Sequence, residues 1–186
     1  PFNTGTITML DNTRLTEVIA QCHQELDELF LQHQEAILVE KFNAATQLLG
    51  CFKELHELHR GFEDKQLIPT LDGLVNQRLW PASLYTNEHA KIQELLHKTE
   101  KNLLSLSKSQ LSNQDLRREI IVLLDMEKTF KGLCEHHQER EERGILPELD
   151  EQTDEKWRIK IVKPFLKEWN CCMKRTTEIV NGIDFP

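Results

Sequence analysis

Tyrosine occurs once in the 186 residues, glycine seven times and proline six, and nowhere do Val, Ile and Thr alternate with polar residues over the length of a strand. Sheets need that alternation, so strands are excluded as the main element and the chain reads as all helical. No apolar run approaches the roughly 20 residues that span a bilayer, and the opening PFNTGTITML lacks the basic-then-apolar form of a signal peptide. Lysine and arginine total 23 against 31 acids, and a formal net charge of -8 excludes a broad surface for nucleic acid or for an anionic membrane. The cysteines (Cys22, Cys51, Cys134, Cys171 and Cys172) are odd in number and lack Cys-x-x-Cys spacing, which argues against a disulfide scaffold and for a reducing cytoplasm. A nucleophile triad and a glycine-rich phosphate loop are also missing.

What the chain does have is helical periodicity. A first helix should follow Asp11-Asn12-Thr13 and run to about Glu35, with Leu15, Ile19, His23, Leu26 and Phe30 on one stripe. A second, from about Glu40 to Lys65, carries Ala45, Leu48, Phe52, Leu55, His59 and Glu63, and should stop before Pro69. Residues 66 to 82 connect two halves. The third helix begins between Ser83 and Asn87, with His89, Ile92, Leu96, Leu103 and Leu106 on one side. After a polar loop, Ser112 and Asp115 make a capping pair for a fourth helix with Val122, Met126, Phe130, Leu133, His137 and Glu141 aligned, ending around Gly144 and Pro147. Beyond the acidic stretch Glu148 to Glu155, a fifth helix of about 25 residues starts at Asp154, and Pro164 predicts a kink or break inside it. Its apolar side is Ile161, Phe165, Trp169, Cys172, Thr176 and Ile179. Residues 1–150 thus read as an up-down four-helix bundle. Residues 151–186 read as an acidic linker and a helix that packs on the bundle or serves a homodimer or another protein partner.

The chemistry lies in a repeat. Residues 52–72, FKELHELHRGFEDKQLIPTLD, align without a gap on residues 130–150, FKGLCEHHQEREERGILPELD, at a constant offset of 78. Packing accounts for the matches Phe52/Phe130, Leu55/Leu133 and Pro69/Pro147. It does not account for His59/His137 and Glu63/Glu141, because such groups are costly in an apolar stripe unless paired or bound to metal. Histidine and glutamate four residues apart stack on one helix face. Each hairpin also places one histidine on the core stripe of its first helix: His23 before His59, and His89 before His137. Six nitrogen and oxygen donors without a thiolate suit two iron ions better than a closed structural zinc site. Ferritin-like bundles use Glu-x-x-His twice, whereas here that spacing occurs once, at Glu94 and His97.

The reversed and longer His-x-x-x-Glu spacing, twice, with an acid following each glutamate and an aliphatic-Pro ending, resembles the hemerythrin family in its HHE cation-binding branch over residues 10 to 150. That resemblance implies a non-haem centre of two iron ions, oxo- or hydroxo-bridged. Glu63 and Glu141 bridge the ions and His23, His59, His89 and His137 hold their outer sides. It implies binding or sensing of a small diatomic molecule such as O2 or NO, or of iron, in preference to turnover. Oxygen carriers of the family have a further histidine one turn after the first in the third helix, where this chain has Gln93. The departure favours sensing, iron handling or redox chemistry over simple oxygen carriage. Iron can be lost from such a site, or replaced by zinc, on purification.

Two other functions stay open: a redox or repair enzyme that reduces NO or peroxide or donates iron, and a metal-free interaction module. Among the remaining candidates, His56 reads as structural and His33, His97 and His136 as surface or rim residues. Cys22, Cys51 and Cys134 read as small core residues, and Tyr85 as packing or as a wall of the site.

Overall fold

A computed structural model describes residues 13–74 and 79–183. The turn expected at Asp11 and Asn12, and part of the connection between the halves, lie outside them. The described residues contain only helices and their connections: α1 (Leu15–Leu38), α2 (Phe42–Phe62), a π-helical turn (Glu63–Leu67), α3 (Ile68–Asp72), α4 (Ala82–Ser107), α5 (Asn113–Arg143), α6 (Ile145–Gln152) and α7 (Glu155–Gly182).

Contacts between the long helices form a ring: α1 on α2, α2 on α4, α4 on α5 and α5 on α1, with α7 on the outer side of α2. The stripes expected for α1, α2 and α4 are all buried. Phe30, Phe52 and Phe130 fill the middle of the ring with centroids 5.1 to 5.8 Å apart, and two of them are the repeat-related pair.

The α5 stripe differs in its first half. Val122 and Met126 are exposed, and Ile120, Leu123 and Glu127 face inward. The cause is a polar core pair: Glu127 Oε1 lies 3.0 Å from His33 Nε2, while His33 Nδ1 donates to the Ala45 carbonyl at 2.8 Å. Gln34 donates to the other Glu127 oxygen at 3.1 Å. His33 is therefore fully buried rather than a rim residue, and His97 and His136 do lie on the surface. A glutamate at a core position misleads any reading by hydrophobic period.

Helix ends also depart from expectation. Chain continues helically past Pro69, because Pro69 sits in the first turn of α3, where its missing N–H is not needed. The acidic stretch is partly helical: α6 buries Leu146 and Leu149, and Asp150 caps the distant start of α1. Its carboxylate accepts from Leu15 N at 2.7 Å, Thr16 N at 3.1 Å and Thr16 Oγ1 at 2.9 Å. Ser112 and Asp154 cap α5 and α7.

Helix α7 runs unbroken through Pro164. That residue lies on the exposed side, where water can reach the carbonyl left without a donor. The face carrying Ile161, Phe165, Trp169, Cys172 and Thr176 is buried, whereas Ile179 is exposed. Phe165 stacks on Phe62 at 4.3 Å, and Trp169 Nε1 donates to Glu25 Oε2 at 2.6 Å. No helix among the described residues is long and apolar enough to cross a membrane.

Candidate metal centre

His23 comes from α1, His59 from α2, His89 from α4, and His137 and Glu141 from α5, while Glu63 opens the π-helical turn that ends α2. All six side chains are at least nine-tenths buried and meet in one cluster. Two tetrads of donor atoms overlap: His23, His59, Glu63 and Glu141, and Glu63, His89, His137 and Glu141. Within each tetrad every donor lies within 4.8 Å of the others, and both tetrads contain both glutamates.

The geometry follows the repeat with an exchange between hairpins. Glu63 Oε1 lies 3.0 Å from His59 Nε2 on its own helix strand of the hairpin, and Oε2 lies 3.2 Å from His89 Nε2 in the other hairpin. Glu141 mirrors it, with Oε1 2.9 Å from His137 Nε2 and Oε2 3.1 Å from His23 Nε2. The histidines also meet nitrogen to nitrogen. His23 and His59 Nε2 are 3.2 Å apart, and His89 and His137 Nε2 are 2.9 Å apart.

Three carboxylates face the outer ring nitrogens. Glu142 Oε1 lies 3.1 Å from His23 Nδ1, Asp64 Oδ1 2.7 Å from His89 Nδ1, and Glu88 Oε2 3.0 Å from His137 Nδ1. An ionised carboxylate only accepts, so each of these Nδ1 atoms donates, which leaves Nε2 as the nitrogen that offers a lone pair inward once the ring gives up its second proton. Arg60 holds Asp64 at 2.7 Å and Arg140 holds Glu88. Two neutral rings would face each other with lone pairs across 2.9 Å, so the pair needs a shared proton or a metal ion between the nitrogens. Both Glu63 oxygens and Glu141 Oε2 are buried and make no well-directed hydrogen bond, although imidazole nitrogens lie 3.0 to 3.2 Å from them.

Charges respond to this crowding. Burial lowers His137, but Glu141 outweighs it and raises the pKa to about 10. His23 and His89 move the same way, since burial is outweighed by Glu141 for the first and by Glu63 for the second. Burial raises Glu63 and Glu141, yet the facing imidazoles bring both below the usual carboxylate range. Without metal, protons supply the positive charge that the cluster demands.

The buried His and Glu clusters can hold a metal ion. No family model, curated protein or solved structure matches the chain. Donor chemistry and geometry therefore carry the functional argument.

Paired histidines with shared carboxylates offer each tetrad two imidazole nitrogens and two carboxylate oxygens, with no cysteine among the donors to favour soft metals. The four residues singled out by the repeat and the two histidines expected on the first-helix stripes are all brought together. Gln93 is exposed and donates to Glu57 at 3.2 Å, and Glu94 pairs with Lys91 and Lys98 on the surface, so neither joins the cluster. Tyr85 packs edge-on against His137 at 6.3 Å, and its hydroxyl donates to the Arg140 carbonyl at 3.4 Å. Gly144 ends α5 where a Cβ would fall 2.6 Å from the Tyr85 hydroxyl and 2.8 Å from the Arg140 carbonyl, so only glycine lets these pieces close together.

The supporting acids were only half visible beforehand. Asp64 and Glu142 occupy matching places in the repeat, directly after the two clustered glutamates, which is a readable signal. Glu88 has no such partner, because the residue before His23 is Cys22. Correspondingly, His59 Nδ1 is the one ring nitrogen of the four histidines that is buried without a hydrogen bond.

Proposed function

We propose that this chain is a hemerythrin-like protein with an up-down four-helix bundle, in which His23, His59, His89, His137, Glu63 and Glu141 hold two iron ions. The reading that fits best is binding or sensing of O2, NO or iron within a reducing cytoplasm. It is carried by one observation: two donor tetrads that share both glutamates, each completed by a pair of histidines whose Nε2 atoms face each other. Iron held there would supply reversible redox change and positions open to a diatomic molecule. The chain's own residues do the rest. Asp64, Glu88 and Glu142 orient three imidazoles, Arg60 and Arg140 hold two of those acids, and Phe30, Phe52 and Phe130 give one side an apolar wall. Five free cysteines agree with a reducing compartment.

The test is anaerobic loading with ferrous iron followed by O2 or NO, with the visible spectrum and ligand consumption followed together. A reversible spectral change without net consumption supports binding or sensing. Continued consumption with an added reductant favours the redox or repair alternative, and absence of any bound metal removes both.

A further inference from the structure

Beside the histidine cluster lies a small cavity of about 30 Å³, room for one or two water-sized molecules and not for an organic substrate. His23, His59 and His137 border it, whereas His89 does not. Its walls are apolar, made by Leu26, Phe30, Phe52, Ile92 and Phe130, and its outer rim carries Asp27, Lys131 and Gln138. Gln138 donates to Asp27 across α5 and α1 at 3.1 Å.

One further polar side chain lines this space. His56 is 93% buried, stacks on Phe52 at 5.7 Å with 20° between the rings, and forms no hydrogen bond with any described residue. Its ring nitrogens are not among the fully buried atoms left without a partner, so they open onto accessible space. His56 also stands outside both donor tetrads, so metal binding would not satisfy it. In either protonation state the ring carries at least one N–H, and the cavity is the place where that donor can find an acceptor.

We propose that His56 is the specificity-determining donor of this cavity, hydrogen-bonding the outer atom of a two- or three-atom ligand seated against the histidine cluster. The inference rests on the two-iron reading above. It selects among small ligands. Molecules with an accepting outer atom are held by His56, while an apolar molecule of equal size gains only the contact with the phenylalanine walls.

The test uses the full chain loaded with iron and titrated with azide, comparing wild type with His56→Leu and His56→Gln. Metal content and helical circular dichroism are read alongside. The expected result is unchanged metal content in all three, azide affinity about tenfold weaker in His56→Leu, and affinity largely restored in His56→Gln, which keeps an N–H donor. Equal azide affinity in wild type and His56→Leu, with iron bound in both, would overturn the role of His56 and leave the two-iron reading intact. Loss of iron from His56→Leu alone would make His56 a ligand and likewise overturn the proposal. Failure of the wild type to bind iron would instead remove the reading on which it rests.

Discussion

His89 and His137 approach each other through their Nε2 atoms at 2.9 Å, while an acid lies within hydrogen-bonding distance of the opposite nitrogen of each ring. The acids hold Nδ1, so the inward nitrogens are the ones that exchange a proton for a metal ion.

The supporting acids should therefore matter for affinity more than for folding. Asp64→Asn, Glu88→Gln and Glu142→Gln each keep size and remove charge, and each is expected to weaken metal binding by roughly 10–100-fold. Glu142 is half exposed and should have the smallest effect, and Glu88, nearly buried and held by Arg140, the largest. Metal titration by calorimetry checks the order. Equal, wild-type affinities would remove these acids from the site.

Metal binding should release protons. Glu141 holds His137 up to about 10, above its ordinary value of 6.5, so the metal-free site carries protons at neutral pH that an incoming ion must displace. Affinity then rises as pH rises. In the metal-free chain the sign is opposite: the stability gained from this raised pKa is fully present below about 6.5 and is lost as pH climbs through about 10. Calorimetry in buffers of different ionisation enthalpy counts the protons, and pH-independent affinity would contradict the argument.

The pair His33 and Glu127 supplies a contrast. Ten residues along α1 from His23, about 15 Å at the helical rise, it shares the buried polar character of the site but has its hydrogen bonds satisfied by protein. His33→Ala should destabilise the chain by on the order of 3 kcal/mol, because Glu127 stays buried with less compensation, and should leave metal stoichiometry unchanged. Denaturant unfolding and metal analysis of one sample separate the two effects.

The helical class was legible from periodicity, and His59, Glu63, His137 and Glu141 from a repeat that keeps side chains packing cannot explain; His23 and His89, 36 and 48 residues before their partners, were legible only from their place on core stripes. The stripes of α1, α2 and α4 followed their apolar residues. The stripe of α5 did not, since Glu127 takes a core position only because His33, 94 residues earlier, is there to meet it. Distant partnerships of that kind leave no local signature. The cap of α1 by Asp150 and the support of His137 by Glu88 belong to the same class. The π-helical turn at Glu63 was equally hidden, because a wider turn depends on backbone pairing and not on any one residue.

An anomalous difference map at the iron edge, from a crystal of the iron-loaded chain, tests the central claim most directly. Two peaks should appear about 3–4 Å apart, one beside His23 and His59 and the other beside His89 and His137, with Glu63 and Glu141 reaching both. A single peak, or none within this cluster in a crystal that has taken up iron, would contradict the two-ion centre.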